Sequence, residues 1–146
     1  MPRKRRGSRR PEMLARNAEI TSFACRVSAG AEERRGEEPE IESGAWLELR
    51  GRLDEPVKGV EDVLISIYPK DNVEVGPARP ASVGVIIGLK PEMSVVLPSL
   101  HRDFDRLWAL TLAGRARFAY FYFTQPRYGR GLVVSVSFSS EGEEEE

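Results

Sequence analysis

Apolar and polar residues alternate along most of this chain, and a period of two predicts β-strands. Ala45 to Leu53 shows it most plainly. Leu47, Leu49 and Leu53 fall on one face, with Glu48, Arg50 and Arg52 opposite. Such a strand packs one face and wets the other. Glu19 to Val27 repeats the pattern, with Thr21, Phe23, Cys25 and Val27 on one face. Val63 to Tyr68 is β-branched and apolar on both faces, which predicts a central strand. Val83 to Leu89 places Val83, Val85, Ile87 and Leu89 on one face. Gly84 and Gly88 lie opposite and leave room for another backbone to approach. A Lys90-Pro91-Glu92 turn joins this segment to Met93 to Leu97, and the two are expected to pair as a hairpin.

Near the C-terminus, Arg117 to Thr124 is an aromatic strand. Phe118, Tyr120 and Tyr122 share one face, and Phe121 and Phe123 the other. Leu132 to Ser139 is the last strand, with Leu132, Val134, Val136 and Phe138 expected inward. The glycine-rich turn Pro126 to Gly131 joins these two, which should pair antiparallel. One segment has helical spacing instead. In Ser99 to Ala113, Leu100, Phe104, Leu107, Trp108 and Thr111 fall on one face, with Arg102, Asp105 and Arg106 opposite. Ser99 is placed as the N-cap and Gly114 as the C-terminal stop. A competing period-two pattern would make Trp108, Leu110 and Leu112 a strand.

Other segments have no period. Ala29 to Ser43 is polar and carries Glu32-Glu33-Arg34-Arg35-Gly36-Glu37-Glu38, which predicts a flexible surface loop. Pro69 to Pro80 holds three prolines and an Asp71-Asn72 pair, which predicts another. The sum is a β-rich chain of about seven short strands with one helix near residues 99–113. The expected fold class is all-β, an antiparallel β-sandwich or partly open barrel. Strands and helices do not alternate, which argues against a parallel α/β sheet.

Charge changes the picture at the two ends. Arg3, Lys4, Arg5, Arg6, Arg9 and Arg10 crowd the first ten residues, and Glu141, Glu143, Glu144, Glu145 and Glu146 the last six. The net charge of −1 hides this asymmetry. Neither segment has a core to bury, so residues 1–12 and 141–146 are expected to be disordered around a folded region at 13–140. The basic start lacks a following apolar stretch, so a secretory signal is not expected. Cys25 is the only cysteine, which fits a reducing compartment and a cytoplasmic protein. Its place in the alternation predicts a small core residue.

Candidate chemistry is sparse. Six cations on a flexible arm match phosphates, so Arg3 to Arg10 are the leading nucleic-acid or anion ligands. Arg127 and Arg130, flanking Gly129, add to them if successive backbone N–H groups form an anion-binding nest; a plain hairpin loop is the simpler expectation. The aromatic face of Phe118, Tyr120 and Tyr122 is a candidate protein interface, since aromatics are enriched there. It matches RNA-stacking strands poorly, because Ala116 and Arg117 stand where a basic residue and a glycine belong. His101 and Asp105 are four apart, but two ligands without a third do not make a metal site. There is no phosphate loop, dinucleotide fingerprint or zinc spacing. The chain is therefore expected to work without cofactor or metal, as a binding or assembly module rather than an enzyme. Its expected partner is another protein or a second copy of itself, with nucleic acid as the alternative and no membrane.

Overall fold

A computed structural model describes residues 11–32, 36, 40–73 and 80–141. Seven strands and one helix follow in order: β1 (Met13–Glu32), β2 (Glu40–Val57), β3 (Val60–Lys70), β4 (Gly84–Gly88), β5 (Met93–Leu100), α1 (His101–Leu112), β6 (Phe118–Thr124) and β7 (Gly131–Ser139). The strands form one sheet that closes on itself in the order β1-β2-β3-β5-β4-β7-β6. The class, the strand number and the helix match the reading of the sequence. Closure removes, within the barrel, the sheet edges that a sandwich or an open barrel would have kept.

All but one of the pairings are antiparallel. β5 lies parallel to β3, with Ile65 beside Val95 and Ile67 beside Leu97. The chain reaches this arrangement by crossing from β3 to β4 and turning back, so β5 fills the place between them. β3 lies between β2 and β5; in a closed barrel every strand has two neighbours, so the expected distinction of a central strand does not arise. Two hairpins are closed by two-residue turns with positive φ at both central residues, at Lys58-Gly59 and Tyr128-Gly129. That geometry twists in the same sense as the strands it joins.

The inward residues form one core. Leu47, Leu49, Val63, Ile65, Ile67, Met93, Ala119, Phe121, Phe123 and Val133 are fully buried within it. α1 adds Phe104 and Leu107 to this core. Burying one such side chain is worth about 1.5–3 kcal/mol. Thr111 is buried as well, and its hydroxyl donates to the Leu107 carbonyl at 2.8 Å. Gly114 ends the helix as expected. With φ of 70° it lets its own N–H reach Thr111 O and the next N–H, of Arg115, reach Leu110 O. This paired bonding satisfies the last carbonyls.

Several expectations change. Ser99 is not the N-cap: it lies within β5 opposite Pro69, and Leu100, the last residue of β5, takes the cap position without a side-chain bond. The face of β4 that carries the larger apolar residues is the outer one. Ile86 is buried, whereas Val83, Val85 and Ile87 point outward, Ile87 with 56% of its surface exposed. The reason is Gly84. A Cβ there would sit 2.6 Å from the Val96 carbonyl and against the Leu97 side chain, so this glycine must take the inward, crowded position. In β7 the ladder shifts between Tyr122/Ser135 and Phe123/Val133. This bulge changes which parity faces inward. Val133 is therefore the core residue, in place of Leu132 and Val134, while Val136 and Phe138 still pack against the core.

Candidate interaction surface

The largest departure from the sequence reading lies between Ala29 and Ser43. Strand pairing continues through it on both sides, from Ala29↔Ser43 out to Glu32↔Glu40. Residues 29–32 and 40–43 of the expected loop are instead paired strand, the far part of a long β1–β2 ribbon, and 33–35 and 37–39 lie outside the described residues. β6 pairs with β1 only as far as Glu19↔Phe118, and Ile20 N–H makes a last bond to Arg117 O at 2.7 Å. β3 pairs with β2 only as far as Leu47↔Ile67. Beyond these points the ribbon leaves the barrel, and among the described residues neither of its edges is paired. From Arg26 to Glu32 it projects on the order of 20 Å, at the usual rise per strand residue.

The face of this ribbon is set by its ladder. A bulge at Thr21, where pairing jumps from Ile20 to Ser22, shifts the parity of β1. Ala18 faces the core before it, and Phe23, Cys25 and Val27 share that face after it, opposite Leu49, Leu47 and Ala45. Of the expected grouping of Thr21, Phe23, Cys25 and Val27, the last three share a face, and Thr21 falls in the bulge. The expected burial does not follow. Phe23 is 49% exposed and Val27 72%, because the barrel no longer stands behind them. Cys25, at the root of the ribbon, is half-buried and packs partly on the core. That burial pushes its thiol pKa up from the ordinary value.

The opposite face is polar and held at its root by aromatics. Trp46 pairs with Arg26 across the ribbon and stacks on Tyr68 of β3, with centroids 5.6 Å apart and planes 9° from parallel. Its indole Nε1 donates to Glu48 Oε1 at 3.2 Å. Lys70 Nζ lies 5.7 Å over the Tyr68 ring. Arg26, Ser28, Gly44, Trp46 and Glu48 line a shallow depression of about 430 Å³. A second, of about 340 Å³, lies on the barrel wall between the outward Val85 and Ile87 of β4 and Arg130 and Leu132.

The residues singled out in the sequence are placed as follows. Arg3, Lys4, Arg5, Arg6, Arg9 and Arg10 lie outside the described residues, as does the acidic tail after Glu141. Arg127 and Arg130 face each other across the β6–β7 turn. Each donates its backbone N–H to the other's carbonyl, at 2.8 and 3.0 Å. Those two amides are thus spent on the hairpin. Phe118, Tyr120 and Tyr122 stand together on the outer wall, opposite Ser139, Ser137 and Ser135. Phe118 and Tyr120 are half-buried, Tyr122 is exposed, and the Arg117 guanidinium lies 5.6 Å over the Phe118 ring. His101 Nε2 meets Asp71 Oδ1 at 2.9 Å, away from the Asp105 spacing noted in the sequence. Among the described residues no three metal-ligating side chains converge. Among the same residues no helix is long and apolar enough to cross a membrane.

The sequence reading missed Arg26, Trp46 and Glu48 as a group. What the sequence did carry is the continuation of the strands, in the alternation of Ala29, Ala31, Ser43 and Ala45, whose small side chains hid it from a scan for large apolar residues. Comparison with protein-family models, with curated proteins and with solved structures finds no match for this chain.

Proposed function

We propose that this protein is a non-catalytic binding and assembly module that works through its β1–β2 ribbon. The observation that carries this reading is the apolar face of Phe23, Cys25 and Val27, held out beyond the barrel on a ribbon with free edges. A two-stranded ribbon is at best marginally stable alone in water. Free edges and an exposed apolar face are both relieved by a third strand. Val83, Val85 and Ile87 on the barrel wall supply a second apolar patch that a partner can cover. The single cysteine supports a reducing, cytoplasmic setting.

Amide hydrogen exchange of the full chain tests this. Protection of Phe23 to Val27 that rises with protein concentration, or on adding a partner, supports the reading. Fast exchange of these amides under every condition, while Val63 to Ile67 stay protected, overturns it.

A further inference from the structure

The free edge of β1 fits a second copy of itself. From Thr21 to Ala31 it carries one charge, Arg26, with no lysine and no proline. Natural edges are normally blunted by such residues. Its bonding groups can be assigned from chirality. In one L-strand, all side chains on a given face have their N–H groups on the same side. Ala18 faces the core, and the N–H of Ile20, on the same parity, points to the β6 side. After the bulge at Thr21 that parity passes to Phe23, Cys25 and Val27. Their N–H and C=O groups therefore point out of the free edge.

We infer that two copies of this chain pair along β1, antiparallel, about a two-fold axis at Cys25, with Arg26 of each reaching the partner's Glu48. This rests on reading the ribbon as an assembly surface. Registers centred on a residue bring bonding groups together, and those centred between two residues do not. A centre at Ala24 sets Arg26 beside the partner's Ser22, whose neighbour on β2 is Arg50, and a centre at Arg26 sets the two arginines side by side; like charges disfavour both. A centre at Phe23 runs into the stretch of β1 that β6 covers. A centre at Val27 puts Arg26 beside Ser28, whose neighbour on β2 is Gly44. The centre at Cys25 sets Phe23 opposite the partner's Val27, twice. It also sets Arg26 beside the partner's Ala24, whose neighbour on β2 is Glu48.

Ala24 is small enough for Arg26 to pass over it. The span from Arg26 to the partner's Glu48 is two strands, roughly 9–10 Å between Cα atoms. The molecule already makes a reach of this kind. Arg50 on β2 crosses β3 to meet Glu92, just before β5, with Nη1 2.9 Å from Oε2. Two-fold symmetry makes each contact twice, so the charge pairing is self-complementary. The merged sheet has β1 of both copies at its centre and β2 of both outside.

Sedimentation of the full chain across the micromolar range, with variants, tests the register. Arg26→Glu and Glu48→Arg should each weaken the dimer roughly tenfold. The double variant, which restores opposite charges, should recover most of the loss. A short bismaleimide should link Cys25 to Cys25 of the partner, with no background from other cysteines. A dimer that does not cross-link and ignores both charge reversals overturns this register while leaving the assembly reading intact. A chain that stays monomeric at every concentration overturns self-pairing. The reading itself is overturned separately, by fast exchange of the ribbon amides.

Discussion

Arg16 shows how far a single residue can depart from its pattern. It stands on the inward parity of β1, between Leu14 and Ala18, opposite the buried Phe121. β2 leaves β1 after Leu53, and the arginine fills the gap. Nε donates to Glu55 O at 3.0 Å, Nη2 to Pro56 O at 3.2 Å and Nη1 to Ala15 O at 2.8 Å, with 15% of its side chain exposed. Arg16→Ala leaves these carbonyls without their charged donor and should cost about 2–3 kcal/mol, read from urea denaturation. Arg16→Lys should recover little, because an ammonium cannot present the same fork of donors. Gly84 is the second such position. Gly84→Ala drives a methyl into the Val96 carbonyl and should cost about 1–3 kcal/mol in the same assay. The special value of Gly84 was legible in the sequence as a place of close approach. The role of Arg16 was not, since nothing local distinguishes it from the solvated arginines of β2.

Period-two alternation identifies strands well, but it gives faces relative to each other and not to the rest of the molecule. β2 is the favourable case. Leu47, Leu49 and Leu53 are buried and Arg50 and Arg52 exposed, as the pattern predicts. β4 shows the limit: its face with the larger residues is the outer one. There, the need to fit a glycine under Leu97 outweighs the burial of Val85 and Ile87. The ribbon fails differently. Its grouping of Phe23, Cys25 and Val27 was right, but strand length decides whether a barrel stands behind it. That length was hidden by the charge cluster that separates the two strands in the sequence. The exposed positions give a clean test. Phe23→Ser with Val27→Ser should change stability by only about 0.5 kcal/mol, as expected of surface sites, while abolishing concentration-dependent mass. Loss of the fold would instead mean that these side chains belong to the core. Cys25 reports the same region. Its raised pKa lowers the thiolate fraction, so alkylation near pH 8 should run slower than for a free thiol and accelerate as pH rises.

For the whole molecule, the order of the strands was not readable. A parallel β3–β5 contact depends on how the chain crosses between distant segments, and no local pattern encodes that choice. Closure follows from the β6–β1 pairing, which joins residues near opposite ends of the chain. Charge at the termini was readable at once, because it requires no fold. It also supports the alternative function, and salt separates the two. If Arg3, Lys4, Arg5, Arg6, Arg9 and Arg10 all settle on phosphates, log K should fall with log salt at a slope of about −5. Deleting residues 1–10 should remove that binding and leave the barrel folded, since β1 begins at Met13. Ribbon pairing, by contrast, rests on backbone bonds and apolar contact and should survive the deletion. A titration with single-stranded DNA and RNA at several salt concentrations, with and without residues 1–10, measures both effects. Absence of binding at low salt, or an unchanged slope after deletion, would rule out the arm as a nucleic-acid ligand. A fall in dimer mass on deletion would instead tie the arm to assembly, and the two functions would then share one surface.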